Sequence, residues 1–320
     1  MLNSRIIATG SYLPKKIYDN RHMESLVDTS DQWIVERTGI RERHIAADGE
    51  LTTDLALEAV LKLFRTSGIS RTLVDSIIFA TTTPDRTFPS CASILQGKLG
   101  LANGCPAFDV QAVCCGFIYA IDLADSLIKT EKATNVLVVG AETMSRLVNW
   151  SDRNTCVLFG DGAGAVLLAA AGEGEGILAT SLHSDGSYGD ILRTSGGVSI
   201  DRSVGFVEMQ GREVFRLAVN RMHSSILESL EKCGLTVDDI DFLIPHQANQ
   251  RIIDGLAKKL NIAREKVVST VAFQGNTSAA SIPMAIDYAL NGGFEIERGN
   301  VIVLESVGGG LTWGSVVLRW

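Results

Sequence analysis

Apolar and polar positions follow two rhythms along this chain. Short apolar runs bounded by turn residues, SIIFATT (76–82), NVLVVGAE (135–142) and GAVLLAAA (164–171), have the length and β-branched content of buried strands. Between them, apolar positions recur three and four residues apart. After FDVQAV these are Phe117, Ile121, Ala124, Leu127 and Ile128; after FLIPHQANQ they are Ile252, Ile253, Leu256, Ala257 and Leu260. Alternating strand and helix patterns predict an α/β chain.

The pattern also repeats at a shift of about 165 residues. VDSII follows Gly68 as IDFLI follows Gly234, AIDLA (120–124) corresponds to AIDYA (285–289), NVLVV (135–139) to NVIVL (300–304), and GAVLL (164–168) to GSVVL (314–318). Four matches in order predict two similar α/β halves, residues 1–172 and 173–320, related by a pseudo-twofold axis. In duplicated folds of this kind a site is expected where the halves meet, at strand ends and helix N-termini.

Composition narrows the function. The 320 residues are 46% hydrophobic and 21% charged, with 31 glycines and 6 prolines, enough to bury a large core. A net charge of -8 without a long Lys/Arg cluster argues against a general nucleic-acid binder. The N-terminal MLNSRIIATGSYLPKK shows no cleavage-site pattern, and no apolar run reaches the roughly 18 residues that span a bilayer, so a cytoplasmic protein without membrane attachment is expected. Cys91, Cys105, Cys114, Cys115, Cys156 and Cys233 lack C-x-x-C spacing, which argues against a zinc site and for free thiols.

Three positions carry candidate chemistry. Cys114 falls near a strand-to-helix corner, where helix amides and dipole favour a thiolate; the alternative is a buried filler. Cys115 lies about 100° further round, so both thiols cannot face one pocket. His246, in FLIPHQANQRII, also ends a strand, whereas His22, His44, His183 and His223 have no comparable setting. Asn276, in FQGNTSAAS, opens a helix as a cap or as part of a site, and lies three residues out from the repeat partner of Cys114. GDGAG (160–164) leads into a strand and is no dinucleotide fingerprint, while ESVGGGLTWG (305–314) is a turn that also offers exposed amides.

Together DVQAVCCGF, PHQAN, GNTSAAS and GGGLTWG, with TSDQWIVERTGIRERHIA (29–46) and DRNTCVLFGDGAGA (152–165), resemble the thiolase-fold condensing enzymes, specifically the β-ketoacyl-acyl carrier protein synthase III family. The likeness runs in order from about residue 3 to Trp320. It implies a layered α-β-α-β-α thiolase-like body and a catalytic triad of Cys114, His246 and Asn276, with the amides of Cys114 and Gly309 as oxyanion hole. The position after the nucleophile, usually small in the family, is here Cys115, a departure that bears on redox behaviour.

The same resemblance implies that Thr29, Trp33, Arg37 and Arg153 bind the nucleotide end of coenzyme A, and that Gly211, Phe215, Ala248 and Asn249 line its pantetheine tunnel. Phe88 would close the acyl pocket of a partner in a homodimer. Arg251, with Lys258 and Lys259 on the following helix, would dock acyl carrier protein; the plainer reading is a solvated basic face. The implied reaction is decarboxylative condensation of an acyl-coenzyme A, with acetyl as the expected starter, and malonyl-acyl carrier protein, initiating fatty acid synthesis without metal or redox cofactor. The alternatives are a related condensing enzyme of secondary metabolism, a silent acyl-thioester binding module, and a thioester hydrolase.

Overall fold

The computed structural model describes residues 3–320; Met1 and Leu2 of the expected first half lie outside the described residues. The chain runs through β1 (Asn3–Tyr12), β2 (Lys16–Asp19), α1 (Asn20–Leu26), α2 (Asp31–Thr38), β3 (Glu42–Ile45), α3 (Thr52–Ser67), β4 (Ser76–Ala80), α4 (Cys91–Lys98), β5 (Ala107–Val110), α5 (Gly116–Lys129), β6 (Asn135–Thr143) and β7 (Asp161–Ala171). It continues through β8 (Gly176–Ser184), β9 (Leu192–Thr194), β10 (Val207–Met209), α6 (Gly211–Lys232), β11 (Phe242–Pro245), α7 (Gln250–Leu260), α8 (Val271–Gln274), α9 (Ser281–Asn291), β12 (Val301–Gly308) and β13 (Thr312–Arg319).

Two sheets form the frame, a five-stranded one in the order β1-β7-β6-β4-β5 and a four-stranded one in the order β11-β12-β13-β8. In the first, β4 runs parallel to β5 and β6, while β7 is antiparallel to β6 and β1. In the second, β11 runs parallel to β12, and β13 is antiparallel to β12 and β8. The repeated motifs of the sequence therefore sit on equivalent elements: β4 and β11, α5 and α9, β6 and β12, β7 and β13. The place of β5 in the second sheet is held by a single parallel bridge, Leu243 to Val267.

Strands buried on both faces need helices on both sides, and every residue of β4 and β12 is buried. Helices α5 and α9 fill the space between the sheets, packing Phe117, Ile121, Ile128, Ile282 and Ile286 into one cluster with Ile78, Val138, Leu304 and Val316. Each large aliphatic or aromatic side chain buried there contributes about 1.5–3 kcal/mol. On one outer face α3 and α4 bury Leu55, Leu63 and Leu95; on the other, α6 and α7 bury Met222, Ile226, Ile253 and Leu256. The result is an α-β-α-β-α stack. Close approach in the middle requires glycine at Gly140 of β6, where a Cβ would lie 2.3 Å from the carbonyl oxygen of Ala279.

Two turns place the candidate residues. Cys114 lies in the strand-to-helix corner expected of it: β5 ends at Val110, Val113–Cys115 form one 3-10 turn with Val113 at φ 50°, and α5 starts at Gly116. Pro245 stands immediately before His246. It is the last residue of β11, opposite Glu305, where a missing N–H costs the ladder least.

Candidate active site

Strand ends from both halves open into one cavity of about 860 Å³. Cys114, His246 and Asn276 all line it, although 132 and 162 positions of sequence separate the cysteine from the other two. They are 5%, 2% and 6% exposed, so the reacting end is nearly dry. Cys115 does not line the cavity; its thiol points to the carbonyl of Ser306, 3.6 Å away. One of two adjacent thiols therefore faces the site.

Helix geometry alone suggested a readily ionised thiol at Cys114. Burial instead pushes it up to about 12, against the help of the neighbouring Ser278 hydroxyl. Loss of water outweighs the short 3-10 turn because the thiol sits two residues before the regular helix, away from its strongest amide field. The turn is held tightly. Ser306 Oγ donates to the Cys114 carbonyl at 2.8 Å, and a Cβ on Gly308 would come within 2.9 Å of the amide nitrogens of Cys114 and Cys115. Gly309, buried immediately after β12, is packed against Leu192 and Val113.

His246 follows β11 and is fixed at two points. Its backbone N–H donates to the carbonyl of Glu305 at 2.7 Å, and its ring Nδ1 lies 2.6 Å from the hydroxyl of Ser281 at the start of α9. Burial lowers its pKa to about 3, which keeps the imidazole neutral. Ser281 also accepts the Gln247 N–H at 3.4 Å, and a Ser281 hydroxyl that donates to Nδ1 places the ring proton on Nε2. Asn276 is not a cap of α9, whose cap residue is Ala280. Its Oδ1 accepts the Ser278 N–H at 2.9 Å, leaving the amide hydrogens as donors on the cavity side.

The rest of the cavity is an apolar channel with a cationic mouth. Leu147, Leu158, Val207, Met209 and Val307 line its length together with Gly211, Phe215, Ala248 and Asn249. Trp33, Arg37 and Arg251 stand at the wall, the Arg251 guanidinium 5.8 Å from the Phe215 ring centre. Arg193 and Arg212, which the sequence patterns did not single out, line it as well. Their signal was visible in retrospect: Arg212 opens α6 beside Gly211.

Other expected contacts fall outside this lining. Thr29 is half-buried with an unpartnered hydroxyl, and Arg153 lies on the Trp33 ring at 4.5 Å while hydrogen-bonding the Asp28 carbonyl at 2.8 Å. Arginine and indole therefore touch each other, and a base between them requires Arg153 to swing away. Lys258 and Lys259 occupy the last turn of α7, with Lys259 Nζ 2.5 Å from Asn220. Phe88 projects from the surface at 81% exposure, well away from the lining.

The family description 3-oxoacyl-[acyl-carrier-protein] synthase III matches residues 108–186, and its C-terminal counterpart matches residues 230–320. The two segments carry Cys114 and the His246–Asn276 pair. The β-ketoacyl-[acyl-carrier-protein] synthase III of Thiobacillus denitrificans is 53% identical over 321 residues, covering all of both chains. The chain belongs to the β-ketoacyl-acyl carrier protein synthase III family. The crystal structure of the Aquifex aeolicus 3-oxoacyl-[acyl-carrier-protein] synthase III superposes with a TM-score of 0.94 at 48% identity, over 99% of this chain and 100% of that one. A priming β-ketosynthase from a polyketide pathway superposes with a TM-score of 0.93 at 32% identity, over 99% and 96%. These family members share the thiolase-like fold that the repeated halves of this chain build.

Proposed function

We propose that this chain is a condensing acyltransferase that starts fatty acid synthesis from an acyl-coenzyme A, with acetyl as the starter, and malonyl-acyl carrier protein. The observation that carries this reading is that one thiol, one imidazole kept neutral by burial and one amide, those of Cys114, His246 and Asn276, line the same largely apolar cavity.

The chemistry follows from those groups. Cys114 sulfur attacks the acyl carbon of the thioester, a carbon–sulfur bond forms, and coenzyme A departs as the thiol. Malonyl thioester then occupies the channel. Loss of its carboxylate as carbon dioxide leaves an electron pair that delocalises onto the thioester oxygen as an enolate. That oxygen gains negative charge where a neutral imidazole N–H and an amide N–H2 can stabilise it, and a nearly dry site strengthens both bonds. The carbanion attacks the acyl-Cys114 carbonyl, and Cys114 sulfur leaves. The Cys114 and Gly309 amides are proposed to hold the oxyanion in both acyl transfers.

At the cationic mouth, Arg37 and Arg212 suit the phosphates of coenzyme A, and Arg251 suits an acidic carrier protein. Trp33 offers a face for adenine once Arg153 moves. The exposed Phe88 is proposed to enter a second copy of the chain, giving a homodimer, and no metal or redox cofactor is assigned a step. Mixing the protein with acetyl-coenzyme A and malonyl-acyl carrier protein tests the reading: acetoacetyl-acyl carrier protein should form, and free acetate without condensation would mean a hydrolase. Efficient condensation only with a different starter would favour a role like that of the polyketide priming enzyme.

A further inference from the structure

Glu142, at the end of β6, is a fully buried carboxylate to which the condensation chemistry above gives no role. Its oxygens are surrounded by donors: the Thr81 hydroxyl at 3.1 Å, the backbone N–H groups of Thr82 and Thr83 at 3.1 Å, the Thr83 hydroxyl, and the Ser278 hydroxyl at 3.0 Å. Among the described residues no Lys or Arg forms an ion pair with it. A buried, unpaired carboxylate is costly to keep for packing alone.

Ser278 connects this carboxylate to the reacting groups. It holds a left-handed backbone, φ 50°, unusual for a residue with a side chain. That conformation lets two hydrogen bonds form together: its N–H fixes Asn276 Oδ1 and its hydroxyl donates to Glu142, while its turn packs against the Cys114 turn and brings the same hydroxyl beside the thiol. Thiol, hydroxyl and carboxylate are thus buried neighbours.

We propose that Glu142, acting through Ser278, receives the Cys114 proton when the thiol takes up the acyl group. As sulfur bonds to the acyl carbon, the thiol proton passes to Ser278 Oγ and the Ser278 hydroxyl proton passes to Glu142. When the bond to coenzyme A sulfur breaks, the proton returns along the same chain to the departing sulfur, which is bonded to the same carbon. No oxidant or co-reactant is consumed. The inference rests on the reading of Cys114 as the acyl acceptor.

The alternative base at the site is His246, and burial that lowers its pKa to about 3 makes it a poor proton acceptor at neutral pH. Burial moves Glu142 the other way, up to about 7, where a carboxylate can both take and return a proton. The titratable groups that feel its charge are Cys114 from the turn before α5 and Cys91 at the start of α4, both held as neutral thiols by burial. Thr81, Thr82, Thr83 and Ser278, the other groups packed on it, do not titrate.

The test follows the pH dependence of two reactions of Cys114: alkylation by iodoacetamide, which needs no thioester, and acetylation by acetyl-coenzyme A. In the wild type both rates should rise through a midpoint near pH 7. Glu142→Gln should remove that midpoint and slow both reactions at pH 7.5 by about a hundredfold, within the range of general base catalysis. Because an amide facing so many donors can weaken the fold, Ser278→Gly serves as the second variant. Glycine accepts the φ of 50° and removes only the hydroxyl link, and it should give the same flattened profile. Either variant keeping the wild-type midpoint, with rates within about threefold, overturns the proposal. Wild-type protein that alkylates with the midpoint near pH 7 but never acetylates would instead overturn the acyltransferase reading.

Discussion

The hydroxyl of Ser281 lies 2.6 Å from Nδ1 of His246, and both groups are buried. A hydroxyl proton donated across this contact puts the ring proton on Nε2, the nitrogen proposed to donate to an enolate oxygen. Replacing Ser281→Ala removes the directing donor and leaves Nδ1 buried without a partner, a loss of about 1–3 kcal/mol. Malonyl decarboxylation should fall about tenfold or more, while Cys114 alkylation stays near the wild-type rate. Nitrogen-15 spectra of the ring would report the tautomer directly: Nε2–H in the wild type, a mixture in the variant. Unchanged decarboxylation in the variant would remove Ser281 from the account.

The two donors proposed for the enolate should behave alike. His246→Ala or Asn276→Ala each deletes one, and loss of one such donor costs about 3 kcal/mol, or roughly a hundredfold in decarboxylation. Transfer of acetyl to Cys114 should suffer much less. Equal losses in both half-reactions would mean that His246 chiefly activates the thiol.

Stability should carry opposite signatures of the two shifted groups. Glu142, raised from 4.5 to about 7, binds its proton more tightly in the folded state, so its contribution is complete below pH 4.5 and is lost as pH rises through 7. His246, lowered from 6.5 to about 3, contributes fully above pH 6.5, and that contribution is lost as pH falls toward 3. In denaturant melts the wild type should therefore gain roughly 2–3 kcal/mol relative to Glu142→Gln on going from pH 8 to pH 5. A difference independent of pH would contradict the raised carboxyl.

Much of this was legible in the chain. Helix α7 could be read from Ile252, Ile253, Leu256, Ala257 and Leu260, all buried as the spacing demanded. The repeat identified equivalent strands, because duplicated halves keep the same apolar runs. Cys114 and His246 stood out because each ends a strand pattern, and a strand end is where backbone order gives way to a cavity. What sequence could not supply was contact between distant residues. Ser278 and Glu142 are 136 positions apart, and a glutamate closing the run NVLVVGAE carries no mark of the hydroxyls that fold around it. The thiol of Cys114 was read from its local turn, whereas its proton affinity is set by burial under both halves. Likewise, no spacing rule shows that Arg153 rests on Trp33.

The cationic mouth predicts a salt-sensitive partner. Arg251 lines the channel without an ion-pair partner among the described residues, so Arg251→Glu should raise the apparent KM for malonyl-acyl carrier protein about tenfold while leaving acetyl transfer from coenzyme A nearly intact. Moderate salt should weaken the wild type in the same direction, since screening acts over about 10 Å at 0.1 M. Normal carrier-protein binding by the variant would place the docking surface elsewhere.

The most direct test of the central claim is the site of acylation. The protein is incubated with acetyl-coenzyme A alone, quenched, and mapped by fragment mass spectrometry through the peptide containing both adjacent cysteines. One acetyl group on Cys114 and none on Cys115 is the predicted result, with the adduct absent from Cys114→Ser and consumed on addition of malonyl-acyl carrier protein. An acetyl group on Cys115, or one on Cys114 that malonyl-acyl carrier protein does not discharge, would contradict it.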